Sequence, residues 1–287
     1  MSKKVLISAD STCDLSPELC AKYNVKIKPL PIIRDGESLL DGVNITPEQV
    51  FEHYQKTGKL IRTSAANAEE YKTFFDPFLD EGYEIIHFTI SSNMSAANNV
   101  CNIVAEETPD LYVVDSRNLS TGIGLLVLKA AEFRDNGLSA KEIKEKILPL
   151  CDKVDASFTL DTLEYLHKGG RCSAVAALGA NLLRLKPCIE VKNGTMGVGK
   201  KYRGKLEDVL NEYVIARLHD PEDIDTTRIF ITHSVCSADL VERTRKQIES
   251  IMHFDEILDT DAGCSISVHC GPNTVGVLFI RKTPLAD

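Results

Sequence analysis

No run of about 18 apolar residues occurs in this 287-residue chain, so no membrane span is expected. No block of like charge stands out either. With a formal net charge of −9, the chain lacks the clustered Lys and Arg that phosphate contacts need, which argues against a nucleic-acid partner. Nine cysteines are present but never in a C-x-x-C spacing, and an odd number suits no disulfide framework. They read as small apolar residues in a reducing compartment. A G-x-S-x-G elbow and an H-E-x-x-H signature are both missing, and the seven histidines are scattered, so neither a hydrolase elbow nor a zinc site is indicated. No metal or cofactor is expected. Met1-Ser2-Lys3-Lys4 leads into only three apolar residues, 5–7, too short for a signal peptide. The expectation is a cytoplasmic soluble protein.

What is present is the material of ordinary globular cores, at 43% apolar residues, in a length that suits one large or two modest domains. Strand-like and helix-like segments alternate, the pattern of an α/β fold with a mostly parallel sheet. Residues 5–8, 25–33, 84–90 and 111–114 read as strands. Ser16-Pro17 opens a helix as N-cap and N1. Thr46-Pro47-Glu48-Gln49, Asn67 with Glu70, and Ser139-Ala140-Lys141-Glu142 are helix starts of the capping-box kind. Residues 95–107 read as a helix and 121–134 as an amphipathic one. Near Val154 the texture changes. A strand over 156–160, a Gly169-Gly170-Arg171 break and a small-residue apolar helix over 174–184 follow. Asn193-Gly194 is a type I′ hairpin signal between 189–191 and 196–202. Residues 228–232 and 275–280 read as strands around a helix over 238–252. A boundary near residue 155 divides the chain into an N-terminal α/β domain, 1–155, and a C-terminal α/β domain, 156–287. No Pro- or Gly-rich linker marks it, so the two are expected to pack closely.

The stretch "FTISSNMSAANNV", residues 88–100, ends an apolar strand in a burst of hydroxyls and opens a helix. Ligands of open α/β sheets bind at such strand ends. The first N–H groups of a helix lack intrahelical partners, and its dipole favours an anion. Ser92 and Ser95 therefore read either as part of a pocket for a phosphate or carboxylate, or as simple helix caps. Thr63-Ser64, ahead of Asn67, is a second polar cluster of the same two readings. His269 ends the apolar stretch 265–268 and precedes a Gly271-Pro272 turn, which places a histidine at a strand end. Asp10-Ser11-Thr12 reads as an Asx-turn before it reads as a ligand site. GTMGVGKK, from Gly194 to Lys201, mimics a phosphate loop. It carries Lys201 where a magnesium-binding hydroxyl belongs and falls in a hairpin. Gly122-Ile123-Gly124 opens a helix after a strand, but Val127 replaces the third glycine of a dinucleotide turn.

Six segments stand in order along the chain: DSTCDL (10–15), RTSAAN (62–67), ISSNMSAA (90–97), VVDSRNLSTGIGLLV (113–127), TLEYLHKGGR (162–171) and HCGPNTVG (269–276). Together they resemble the DegV family, fatty-acid-binding proteins that serve as the B subunit of bacterial fatty acid kinase. The resemblance implies two α/β domains, the first with a mostly parallel sheet and the second with a mixed sheet. It also implies one long-chain fatty acid such as palmitate bound between or within them. It assigns the carboxylate to Thr63 and Ser95, with His269 beside the same head group and Ser92 as the weaker candidate. Arg171 and, secondarily, Arg203 would contact the ATP-binding kinase subunit, which makes the acyl phosphate. The chain itself would be a carrier and not an enzyme. Three places depart from the family pattern: Ala65-Ala66 stand for Gln-Pro, Ala96-Ala97 for Gly-Thr, and Cys270 and Asn273 interrupt H-T-G-P-G. These bear on chain-length preference and partner fit.

The physics of such a ligand is demanding. About 15 buried methylenes at ~0.8 kcal/mol each contribute on the order of 10 kcal/mol before binding entropy is subtracted. The carboxylate must meet donors, because an unpaired buried charge is very costly. Hydroxyls and helix N-terminal amides could supply them, while small and aliphatic residues of 174–185 could line the tail or simply form core. A stand-alone enzyme acting on a small anionic metabolite is the alternative reading, and a thiol enzyme using Cys264 or Cys270 near His269 is a third.

Overall fold

The computed structural model describes residues 3–176 and 185–285. The first half of the chain runs β1 (Lys4–Asp10), α1 (Pro17–Lys22), β2 (Val25–Lys28), β3 (Pro31–Arg34), β4 (Glu37–Leu40), α2 (Pro47–Thr57), β5 (Arg62–Thr63), α3 (Ala68–Asp80), β6 (Tyr83–Thr89), α4 (Ala97–Glu106), β7 (Leu111–Asp115), α5 (Thr121–Asp135) and α6 (Ala140–Cys151). Four of these strands form a parallel sheet in the order β2-β1-β6-β7. Its strands carry near-continuous apolar runs because helices cover both faces of a parallel sheet.

The apparent strand over 25–33 is two strands. Pro29 has no N–H to give a ladder, so the chain leaves the parallel sheet there. The second piece, β3, pairs antiparallel with β4 and β5 in a small sheet of its own. That excursion places Thr63 opposite Ile32.

The second half runs β8 (Val154–Thr159), α7 (Glu164–Gly169), α8 (Ser173–Ala176), β9 (Lys186–Lys192), β10 (Thr195–Tyr202), α9 (Leu206–Arg217), β11 (Ile224–Ser234), α10 (Ala238–Ile251), β12 (Glu256–Asp261), α11 (Cys264–Cys270) and β13 (Thr274–Arg281). Its sheet, β10-β9-β8-β13-β11-β12, is antiparallel except between β11 and β12. Most of the helix read over 174–184, and with it the tail-lining segment, lies outside the described residues.

The local start signals do what their chemistry requires. Thr46, Asn67 and Ser139 each accept the N3 amide while the N3 Gln or Glu bonds back to the cap amide. Asn193 and Gly194 both take positive φ, +49° and +76°, as a type I′ turn demands. Two elements differ from their sequence reading. The first is α5, which is not amphipathic: residues 121–128 are all buried. It packs against β1 and β6 of the first sheet and against β8, β11 and β13 of the second. A helix apolar on every side is a helix enclosed on every side. One continuous core, from Ile7 and Ile86 through Leu126 to Phe230 and Leu278, therefore joins the two sheets. The second is residues 265–268, whose Ser-Ile-Ser-Val alternation suggests a strand but which lie in α11. His269 thus sits in a last helical turn, not at a strand end. Among the described residues no helix is long and apolar enough to cross a membrane.

Candidate functional site

Two cavities meet at a shared wall made of Thr63, Arg171 and His269. The first, about 490 Å³, has an apolar lining that includes Leu30, Ile90, Met94, Leu119, Leu166, Met196 and Ile266, and Thr63, Ser95, Arg171 and His269 are among its polar members. That volume is in the range that small-molecule sites occupy. The second, about 870 Å³, lies against Thr63, Arg171 and His269 as well.

Two separate elements deliver the Thr63–His269 pair. Strand β5 brings Thr63 and helix α11 brings His269, and the Thr63 Oγ1 to His269 Nε2 distance is 3.1 Å across 206 residues of sequence. Helix α11 is held by its N-terminus. Asp41, buried, accepts the amides of Cys264 at 2.7 Å and Ser265 at 3.1 Å, and Asp14 accepts that of Gly263 at 2.9 Å. Side-chain oxygens there satisfy orphan N–H groups. Burial pushes the Asp14 carboxyl up to about 8, against the opposing bonds from Ser120 and Gly263.

The charge state of His269 follows from its packing. Burial lowers its pKa from the ordinary value to about 4, with the nearby Arg171 cation adding to the effect, so the ring is neutral at pH 7. Its Nδ1 is buried with no hydrogen-bond partner. A buried orphan N–H is costlier and rarer than an orphan acceptor, which assigns the proton to Nε2. Nε2–H then donates to Thr63 Oγ1, and the Thr63 hydroxyl proton is free to donate to an anion in the cavity. Gly169 permits this placement, since a β-carbon there would lie 2.4 Å from Nδ1.

The hydroxyls of the 88–100 stretch have distinct tasks. Ser91 Oγ donates to the Gly194 carbonyl at 2.7 Å, and Asn93 Nδ2 donates to that of Asn193 at 3.2 Å, so the loop is pinned to the hairpin turn of the other half. The Ser92 side chain is exposed, outside both cavities, and its amide donates to Asp115 Oδ1. Helix α4 begins two residues later than its sequence reading. Ser95 Oγ accepts the Ala97 amide at 3.2 Å and lines the first cavity, while the N-cap position itself is Ala96. Arg171 is exposed, donates to the Gly169 carbonyl at 2.9 Å and lines both cavities. Arg203 is exposed beyond the end of β10 and lines neither.

Two further residues add hydroxyls to the first cavity, Thr12 from the segment that reads first as an Asx-turn and only second as a ligand site, and Ser265. Thr12 and Ser265 line it with buried hydroxyl oxygens that have no partner. Thr12 stands just past the C-terminal end of β1, where the parallel-sheet rule would have placed it. Nothing local marks Ser265. The Asx-turn reading of Asp10 does not hold. Its carboxylate takes the Tyr71 hydroxyl at 2.9 Å and lies 3.2 Å from His87 Nε2, and the following turn has no side-chain cap. Ser8, His87 and Asp10 imitate a nucleophilic triad, but all three are fully buried within the sheet and reach no substrate. Burial also pushes the thiols of Cys264 and Cys270 upward, the latter to about 12, which removes the thiolate a thiol enzyme would need. Among the described residues, no group of three or more His, Cys, Asp or Glu is placed to hold a metal ion.

The chain is similar over nearly its whole length to known proteins. Residues 4–282 match the family model described as "Uncharacterised protein, DegV family". A DegV domain-containing protein of Clostridium acetobutylicum is 31% identical over 98% of this chain and 99% of its own length. Among solved structures, a fatty-acid-binding DegV family protein of Thermus thermophilus superposes with a TM-score of 0.88 at 26% identity, covering 97% of this chain and 99% of that one. A stearic acid-binding protein of Eubacterium ventriosum superposes with a TM-score of 0.83 at 29% identity, covering 98% and 99%.

Proposed function

This chain belongs to the DegV family, and from that membership and its cavity we propose that it binds one long-chain fatty acid, tail first, in the 490 Å³ cavity. The observation that carries this reading is an apolar cavity ending in the Thr63–His269 pair. Thr63 and Ser95 hold the carboxylate as hydroxyl donors, with the neutral His269 setting the direction of the Thr63 hydroxyl. Hydrogen bonds to a charged acceptor are the strong ones, at roughly 1.5–3 kcal/mol each. The tail contributes on the order of 10 kcal/mol gross, as estimated from its methylenes. No general base or nucleophile is required of the protein, which acts as a carrier.

The carrier presents its ligand to an ATP-dependent fatty acid kinase subunit. There a carboxylate oxygen attacks the terminal phosphorus of ATP, the bond to the bridging oxygen breaks, and ADP leaves an acyl phosphate. Arg171 and Arg203, both exposed, are the contacts for that partner. The test of binding is extraction of the denatured recombinant protein with organic solvent, followed by mass spectrometry, together with uptake of added palmitate. Stoichiometric fatty acid is expected. Protein that is empty and takes up none would overturn the proposal. Arg171→Ala is expected to keep fatty acid and lose phosphorylation by the partner kinase; an emptied cavity would move Arg171 to the head group instead.

A further inference from the structure

The second cavity adds a cluster of basic residues to an apolar lining of Ile33, Leu60, Ile61 and Val268. Its lining includes His53, Lys59, Arg62, Lys168 and Arg171, against one acidic residue, Asp35. Lys168 is engaged by Glu164 at 2.7 Å, and His53 lies 3.9 Å from Asp35. Lys59, Arg62 and Arg171 form no ion pair among the described residues. Unneutralised cations around a concave surface focus field and attract an anion. The cavity also begins where the first one ends, since Thr63, His269 and Arg171 belong to both walls. Register places the two functions on neighbouring residues. In β5, Arg62 faces Ile33 and Thr63 faces Ile32, so successive side chains address the charged cavity and the head group.

We infer that the second cavity is a phosphoryl site, which receives the phosphate end of an acyl phosphate whose chain remains in the first cavity. Lys59 and Arg62 supply the charge, and Arg171 bridges the two compartments. This inference rests on the acyl-carrier reading and adds to it a binding site for the product. A phosphoryl dianion carries more charge than the carboxylate from which it forms. A carrier equipped only for the carboxylate would leave that added charge uncompensated, whereas an adjoining cationic cavity retains the product.

The test compares two ligands on one protein. Palmitate reports the first cavity alone. A non-hydrolysable palmitoyl phosphate mimic, in which a methylene replaces the bridging oxygen, reports both. The double variant Lys59→Ala with Arg62→Ala alters only exposed side chains. It is expected to bind the mimic at least tenfold more weakly while holding palmitate within twofold of wild type. A control, Lys200→Ala with Lys205→Ala, removes the same charge from exposed positions that line neither cavity, and is expected to change neither affinity. Equal weakening of both ligands, no weakening of the mimic, or the same weakening in the control variant would each overturn the phosphoryl site. Inorganic phosphate titrated into palmitate-loaded protein distinguishes the source. Weak or no binding is expected, and tight binding would make the cavity a site for free phosphate instead. A wild type that binds the mimic but not palmitate would overturn the carrier reading as well as the inference, and that result is read from the palmitate arm alone.

Discussion

Replacing Gly169 by alanine is a one-carbon change aimed at the proposed head-group site. The added methyl would sit 2.4 Å from His269 Nδ1, where ordinary contact begins at 3.4 Å. The ring must therefore retreat by about 1 Å in a close-packed setting. Its other nitrogen is already 3.1 Å from Thr63 Oγ1, so it cannot retreat along that line and must rotate out of the bond. Gly169 is the last residue of α7, where alanine is a better helix former by up to ~1 kcal/mol, so the variant is expected to fold. Binding should weaken nonetheless. Losing the orientation of a hydroxyl that donates to a carboxylate forfeits roughly 1.5–3 kcal/mol, about ten- to a hundredfold in Kd. Isothermal titration with palmitate measures the loss, and the His269 ring resonances in an NMR spectrum report the displacement. Gly170→Ala is the control: it strains a residue at φ +66° but places no atom within 4 Å of any neighbour. Wild-type affinity and unmoved His269 resonances in Gly169→Ala would refute the argument.

Thr63→Val combined with Ser95→Ala should weaken palmitate binding by roughly 3–6 kcal/mol if the two donors act independently; a Kd equal to wild type would put the carboxylate elsewhere. His269 should make stability pH-dependent in a stated direction. Its folded pKa of about 4 lies below the ordinary value of 6.5, so the contribution is full above pH 6.5 and is lost as the pH falls towards 4. Urea titrations of wild type and His269→Gln should therefore diverge by up to about 3 kcal/mol between pH 7 and pH 4, and parallel curves would count against the assignment. Gly194→Ala should lower the melting temperature, because position 194 has φ +76° and a methyl there would come within 2.8 Å of Ser91 Oγ. Intact stability would mean that the loop and hairpin are not pinned as described.

Comparison of particular elements shows where the sequence suffices and where it does not. The caps at Thr46, Asn67 and Ser139 and the turn at Asn193-Gly194 were legible because their partners stand within three residues. Their geometry is set by short side chains and permitted φ angles, which any context must respect. Helix α11 was misread because its Ser-Ile-Ser-Val core has a strand's period, while the groups that satisfy its N-terminal amides, Asp14 and Asp41, come from more than 200 residues upstream. The burial of α5 was misread for a related reason: Lys129, Glu132 and Arg134 suggest a wet face, but the second sheet covers most of the helix.

The candidate site divides in the same way. Thr63, Ser95 and His269 were named from motif resemblance, and chain chemistry alone determined that each could donate to or orient an anion. Only the tertiary structure decided that Thr63 and His269 touch, that Ser92 lies outside both cavities, that Thr12 and Ser265 line the first cavity with unpaired hydroxyls, and that a cavity with several basic residues adjoins the Thr63–His269 pair. The physical reason is range. Hydrogen-bond capacity, charge and backbone freedom belong to single residues, whereas a cavity is the space left when distant elements pack, and no residue carries that space by itself.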